Sequence, residues 1–291
     1  TALEDDLRTP LFDRHGPKIH LTAAGRTLLE TALPLVEGVD RLPELFAARM
    51  GEINSGTLDV AAGESTILYL LPDYIRRFAD RYPQVRLHLH NVTGRDGMAL
   101  LRAGEVDFAV GSMMEVPDDI SYDPIFTYEP MLITAEDHPL AKKTTVTLEE
   151  VSACGLILPP RHLSTWHIVD FVFHQHGLDY EVILEAGGWE VIKKFVELGL
   201  GVSIVTSICL KGDEKLAAIP LDAYFPKRSY GVVTRRGKVL TPQARSFLEM
   251  MDPGFTSRSQ VSRNEIYPRK PPSGRRSPGS TDFTGHDRSL P

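Results

Sequence analysis

Hydroxyl side chains placed where strand-like runs give way to helical ones are the residues of this 291-residue chain best suited to chemistry, and that chemistry is the holding of an anion. Gly63-Glu64-Ser65-Thr66 ends one apolar strand pattern and opens a helix. Two hydroxyls and free backbone N–H groups converge there, where the helix dipole favours negative charge. Thr93-Gly94 stands in the same relation to the next strand, and Ser164-Thr165 follows Leu158-Pro159-Pro160 ahead of another helix. Each has a plainer alternative as a cap or turn. Trp166 beside them is either a wall of the site or core.

Other reactive side chains point nowhere in particular. His138, His162, His167, His174 and His176 could bind metal or move protons, yet His174 and His176 are two residues apart and face away from each other on a helix. The chain has no HExxH, GxSxG, phosphate loop or dinucleotide fingerprint, so no enzyme, resident cofactor or metal site is expected. Cys154 and Cys209 lie in apolar runs without a CxxC or histidine companion, which favours buried thiols over a disulfide or zinc site.

The elements that must position these residues follow from periodicity. Residues 1–7 read as a helix stopped before Pro10, and Leu11-Phe12-Asp13-Arg14, His15-Gly16-Pro17-Lys18, Ile19-His20-Leu21 as strand, turn and strand. Thr22 caps a helix running from about 23 to 50, whose apolar stripe (Leu28, Leu29, Ala32, Leu35, Val36, Val39, Leu42, Leu45, Phe46) suggests pairing with a second copy. Pro34 and Pro43 each remove a helix hydrogen bond and argue against a straight coiled coil. From 57 onward strands and helices alternate. Strands are expected at 57–62, 86–90, 108–110, 131–134, 156–158, 182–186, 202–205, 216–220 and 230–234. Helices are expected at 65–82, restarted by Pro72, and at 94–103, 166–176, 190–198 and 242–251. This alternation implies parallel, helix-covered sheets, in two α/β lobes with a cleft between them.

The net charge of −7 conceals a division. Residues 254–291 carry seven arginines and lysines against three acids, which is +4, so residues 1–253 hold −11. The tail is rich in Ser, Pro, Arg and Gly and poor in aliphatic residues, so it cannot bury enough apolar surface to order itself; its charge could touch nucleic acid, but a solvated disordered tail is the expectation. No apolar run approaches the length of a membrane span and no signal segment opens the chain, which points to the cytoplasm.

The order of several segments resembles a known family. Leu7-Arg8-Thr9-Pro10-Leu11-Phe12-Asp13-Arg14 leading to Leu21-Thr22-Ala23-Ala24-Gly25 is similar to the end of the winged helix-turn-helix of LysR-type transcriptional regulators. "FADRYPQV", "GEVDFAV", "DHPLA" and "LGLGVSIV" follow in family order. Trp189-Glu190-Val191-Ile192-Lys193-Lys194 ahead of Leu198-Gly199-Leu200-Gly201-Val202 further resembles the cysteine-regulon (CysB-like) branch, whose effectors are sulfate-related anions or acetylserine. The resemblance implies a truncated winged-helix remnant at 1–22, a linker and dimerisation helix at 23–52 and a type 2 periplasmic-binding-protein-like effector domain at 56–253. Lobe I would comprise 56–130 and 229–253, and lobe II 131–228. Family members carry roughly thirty further residues ahead of the position of Thr1, including the base-reading part of the recognition helix, so sequence-specific DNA binding is expected to need them.

The same resemblance implies a homodimer or homotetramer that binds promoter DNA and responds to a small anionic or carboxylate effector. On DNA, Arg14 and Lys18 on the wing, His15 at its tip and Thr22 at the helix start would touch phosphates. Arg14 could instead pair with Asp5, Asp6 or Asp13, and Thr22 could only cap. Ser65 and Thr66 match the place where family members hold the effector's acidic group. Thr134 resembles a cleft-lining position, and Lys194 stands where the branch has a small hydroxyl residue, so it would either favour anions, fill the site or simply be a surface lysine. A stand-alone solute-binding protein shares the two-lobed fold and is the rival expectation, opposed by the wing and long helix.

Overall fold

In the computed structural model the chain divides into two compact units, Thr1–Pro253 and Gly254–Pro291. The structure describes residues 2–13, 19–40, 42, 46 and 55–255. Arg14, His15, Lys18, Pro43 and the tail beyond 255 lie outside the described residues.

The N-terminal segment is stitched by side chains as much as by backbone. Helix α1 (Ala2–Leu7) is followed by the short antiparallel strands β1 (Phe12–Asp13) and β2 (His20–Leu21). Glu4 reaches from α1 to accept the backbone N–H groups of Leu11 and Phe12 at 2.8 and 3.1 Å. Thr22 caps α2 (Ala23–Asp40): its Oγ1 accepts from the Gly25 N–H at 3.0 Å and donates to the Pro10 carbonyl at 2.8 Å. Helix α2 runs across Pro34, as expected of a helix starting at 23; the proline costs one backbone bond but does not stop it, and most of the stretch expected to continue to 50 lies outside the described residues. Leu29, Leu35, Val36 and Val39 are exposed along it.

Lobe I is built on a five-stranded sheet in the order β4-β3-β5-β12-β6. Strand β3 (Thr57–Ala62) lies parallel to β4 (Arg86–Asn91) and β5 (Phe108–Gly111). Val60, Ala61 and Ala62 are buried in succession, so both faces of β3 are covered. Helices α3 (Pro72–Arg81) and α4 (Gly94–Ala103) cover the sheet; Phe78 of α3 packs edge-on against Phe247, with ring centroids 5.4 Å apart. The expected helix over 65–82 is interrupted: Thr66–Leu70 is a π-helical turn, and Pro72, lacking an N–H, starts α3 afresh.

The sequence pattern missed the longest strand. Strand β6 (Ile120–Tyr128) shows no clean alternation and contains Pro124, which a sheet tolerates at an edge, and β6 is an edge strand. Only Glu129 separates it from β7 (Pro130–Ala135), the centre of the lobe II sheet β10-β7-β11. In chain order lobe II continues with α5 (Leu148–Ser152), β8 (Gly155–Leu158), α6 (Ser164–Gln175), β9 (Glu181–Glu185), α7 (Trp189–Glu197), β10 (Ser203–Thr206) and β11 (Leu216–Pro220). Strands β8 and β9 pair in parallel, while β10 and β11 are antiparallel to β7. Helix α6 buries Trp166, Val169, Val172 and Phe173 in this lobe's core, so Trp166 is core.

The chain then returns to lobe I through β12 (Arg228–Arg235), antiparallel to both β5 and β6, and ends the sheet layer with α8 (Pro242–Met251). The expectation of parallel sheets is thereby corrected to mixed ones. A returning strand must run backwards when the connection comes from the other lobe rather than from a crossover helix on its own sheet.

Candidate functional site

The residues that gather where the lobes meet come from β12, the turn after β3, and the segments around α6, α7 and β10. Arg228 and Tyr230 are two apart on β12 and project from the same side of the strand, the Arg228 guanidinium carbon 6.0 Å from the Tyr230 ring centre. Tyr230 is nearly buried, and its phenol interacts with the hydroxyls of Ser65 from lobe I and Thr206 from lobe II. Burial pushes its pKa up; Arg228 and the two hydroxyls pull the other way without reversing the shift. The aim of Tyr230 depends on a bulge, because the β12–β6 register shifts between Tyr230 and Gly231. Gly231 is required there: a Cβ would fall 2.1 Å from the Asp123 carbonyl oxygen.

Arg228 donates from Nη1 to Thr165 Oγ1 at 3.0 Å and from Nη2 to Ser164 Oγ at 2.9 Å. The hydroxyls that open α6 thus hold a cation in place. Residues expected to meet an anion directly instead present the group that carries the positive charge.

A second set of contacts joins the lobes at Tyr69, on the π turn four residues after Ser65. Its hydroxyl donates to Glu190 Oε1 at 2.8 Å, and the Lys193 and Lys211 ammonium groups lie 5.1 and 5.4 Å from its ring centre. Lys193 is buried and held by Glu214 at 2.8 Å, Glu190 at 3.1 Å and the Cys209 carbonyl at 2.9 Å. Burial alone would raise the carboxyl of Glu214, but Lys193 and the N–H groups of Lys211 and Gly212 hold it down at about 2. Burial pushes Tyr69 well above the usual phenol range, reinforced by its bond to Glu190. Gly188 precedes α7 with a φ of 84°, and a Cβ there would meet the Glu64 carboxylate at 3.0 Å, so Glu64 also approaches lobe II closely. Cys209 is a buried free thiol, pushed up to about 12 by burial.

The structure brings Ser65, Ser164 and Thr165 to this region through Tyr230 and Arg228. Thr66 is buried one residue from Ser65 at the start of the π turn. Thr93 precedes α4, where its hydroxyl donates to Asp96 at 2.7 Å. Thr134 is fully buried on β7, opposite Ala217, with its hydroxyl on the Ala135 carbonyl. Lys194 is exposed on α7 and pairs with Glu197 at 3.0 Å. Arg228, Tyr230, Thr206, Tyr69 and Glu190 were missed by residue pattern. The local signal was Lys227-Arg228 at the start of the returning strand.

No group of three or more His, Cys, Asp or Glu among the described residues is placed to hold a metal ion, and none of their helices is long and apolar enough to cross a membrane.

The family described as LysR substrate binding domain matches residues 51–255. The chain is 30% identical over 271 residues to the HTH-type transcriptional regulator CysB of Haemophilus influenzae, covering 90% of this chain and 82% of that protein. It is also 30% identical over 262 residues to the regulator Cbl of Escherichia coli K12, covering 87% and 81%. Among solved structures, the cofactor-binding domain of the Cbl transcriptional regulator superposes with a TM-score of 0.66 at 26% identity, covering 73% of this chain and 94% of that one. These relatives are named as transcriptional regulators, and the rival expectation of a stand-alone solute-binding protein finds no support among them. A two-lobed α/β domain behind a hairpin and a long helix, matched over this length to CysB and Cbl, belongs to the LysR family of transcriptional regulators.

Proposed function

We propose that this regulator senses a small anionic or carboxylate-bearing effector held between its lobes, at Ser65 and Thr66 on the lobe I side and at the Ser164–Thr165 end of α6 on the lobe II side, and that occupancy shifts lobe closure and so the way the protein sits on promoter DNA. The observation that carries this reading is the Tyr230 phenol, which interacts with Ser65 of lobe I and Thr206 of lobe II. Hydroxyls of both lobes face one buried point, so a ligand seated there would touch both and favour the closed arrangement. Hydroxyls suit an oxyanion because each can donate while keeping acceptor capacity for its protein partner.

On DNA, Arg14, His15, Lys18 and Thr22 would contact phosphates in a cytoplasmic homodimer or homotetramer, and the exposed leucines and valines of α2 support pairing with a second copy. The cysteine-regulon resemblance sets the ligands to test. Thermal shift with sulfate, thiosulfate, acetylserine and aromatic carboxylates should find at least one that stabilises the protein. The Ser65→Ala variant should then lose affinity for it, and unchanged affinity would refute the site. In a promoter-shift assay, Lys18→Ala should weaken binding evenly across sequences and reduce the salt slope by about one.

A further inference from the structure

We infer that Arg228 is the charged, specificity-determining half of the effector site, and that Ser164 and Thr165 are positioning residues for its guanidinium rather than direct ligands. This rests on the reading that an anion binds between the lobes. It goes further in naming the group that selects charge, and the ligand class it selects is an oxyanion with two adjacent oxygens, such as a sulfate, sulfonate or carboxylate.

Three features carry the inference. First, the two hydrogen bonds that fix the guanidinium go to neutral hydroxyls, at 3.0 and 2.9 Å, and among the described residues no carboxylate is bonded to it. An arginine that serves only as a strut is ordinarily matched to a carboxylate or to carbonyls, since the planar fork fits them bidentately. Neighbouring Lys227 shows the ordinary case, paired with Glu129 at 2.6 Å. Secondly, Arg228 is half-buried, and none of its nitrogens is a buried donor without a partner. The two bonds to Thr165 and Ser164 use two of the five N–H donors of a guanidinium, so the fork keeps donor capacity for a ligand, in surroundings where a charge acts more strongly than in bulk water. Thirdly, the guanidinium lies beside Tyr230, whose phenol interacts with Ser65. The positive charge and the lobe I hydroxyl thus flank one aromatic side chain. Because Arg228 stands on the strand that returns from lobe II to lobe I while its fork is tied to α6 of lobe II, an anion drawn to it engages both.

Isothermal titration with inorganic sulfate, thiosulfate and benzoate, with dimethyl sulfone as an uncharged tetrahedral analogue of sulfate, tests the assignment on the full chain. Arg228→Gln should weaken binding of the anion that binds the wild type by on the order of 10- to 100-fold, while leaving the weak response to the sulfone unchanged. Arg228→Lys, which keeps the charge but not the fork, should fall between the two. The double change Ser164→Ala with Thr165→Val should lower anion affinity several-fold and narrow the preference for anion over sulfone, which a purely structural role would not do. If Arg228→Gln and Arg228→Lys both bind the anion as the wild type does, while Ser65→Ala does not, Arg228 is excluded and the interlobe anion reading survives. If no anion binds the wild type at millimolar concentration, both fall together.

Discussion

Tyr69 and Glu190, 121 residues apart in the chain, share a 2.8 Å hydrogen bond that ties the π turn of lobe I to the first turn of α7 in lobe II. The bond is supported from below by buried Lys193, which pairs with Glu190 at 3.1 Å and sits against the Tyr69 ring. Ser65 and Tyr69 belong to the same short stretch, so a group that moves Ser65 also moves one end of this contact. Tyr69→Phe keeps the ring and removes only the hydroxyl. It should shift the lobes toward the open arrangement and raise the effector concentration at half-saturation by roughly 3- to 10-fold, with folding stability changed by less than about 1 kcal/mol. Trp189, adjacent to Glu190, provides a fluorescence reading of the titration. An unchanged midpoint would show that the bond does not contribute to closure.

Glu214 makes the same region sensitive to acid. Its carboxyl titrates at about 2 in the folded protein, below the ordinary value of 4.5. Folding lowers the pKa, so its contribution is complete above about pH 4.5 and is lost as pH falls from there toward 2. Glu214→Gln leaves Lys193 with one fewer carboxylate and should destabilise the protein by about 2 kcal/mol at neutral pH. Urea melts should show this difference shrinking between about pH 4.5 and pH 3. A difference of the same size at both ends would mean that the ion pair is not its source.

Gly231 sets the bulge that aims Tyr230. A Cβ at this position would lie 2.1 Å from the Asp123 carbonyl oxygen and 2.6 Å from the Pro124 Cα, both backbone atoms that no rotamer change can move. Gly231→Ala should cost about 2 to 3 kcal/mol and lower the melting temperature by roughly 5 to 10 °C. It should also weaken anion binding. A melting temperature within a degree of wild type would show that β6 yields at Pro124 more easily than its pairing suggests.

Gly25 plays a similar part near the hairpin. A Cβ there would come within 2.1 Å of the Leu11 carbonyl oxygen, which also accepts the Thr22 N–H at 3.0 Å. Gly25→Ala should push the hairpin off the start of α2, seen as faster hydrogen exchange at the Thr22 and Arg26 amides, which bond to the Leu11 and Thr22 carbonyls, while the effector domain melts as before. Unaltered exchange at both amides would contradict this.

Most elements were legible in the chain because their determinants are local. The apolar spacing of Pro72–Arg81 and Trp189–Glu197 repeats with the helical period, and Thr22 sits where a helix needs a cap. The failures also have local causes. Strand β6 hides because an edge strand carrying Pro124 need not alternate, and the π turn at Thr66–Leu70 interrupts the helix expected over 65–82 because Pro72 cannot donate a backbone bond. At the site, Ser65, Ser164 and Thr165 could be singled out by their place between strand and helix.

What the residues alone determined, then, is where hydroxyls stand at the ends of elements and that two α/β lobes carry them. The tertiary structure decided their work. Whether Ser164 and Thr165 face a ligand or an arginine depends on Arg228, 63 and 64 residues away, arriving on a strand that comes back from the other lobe. Periodicity reports only what neighbours along a helix or strand do. A guanidinium's partner is chosen by which chain segments the fold packs side by side, and that choice is made by burial of the two lobes' cores, far from the residues it brings together.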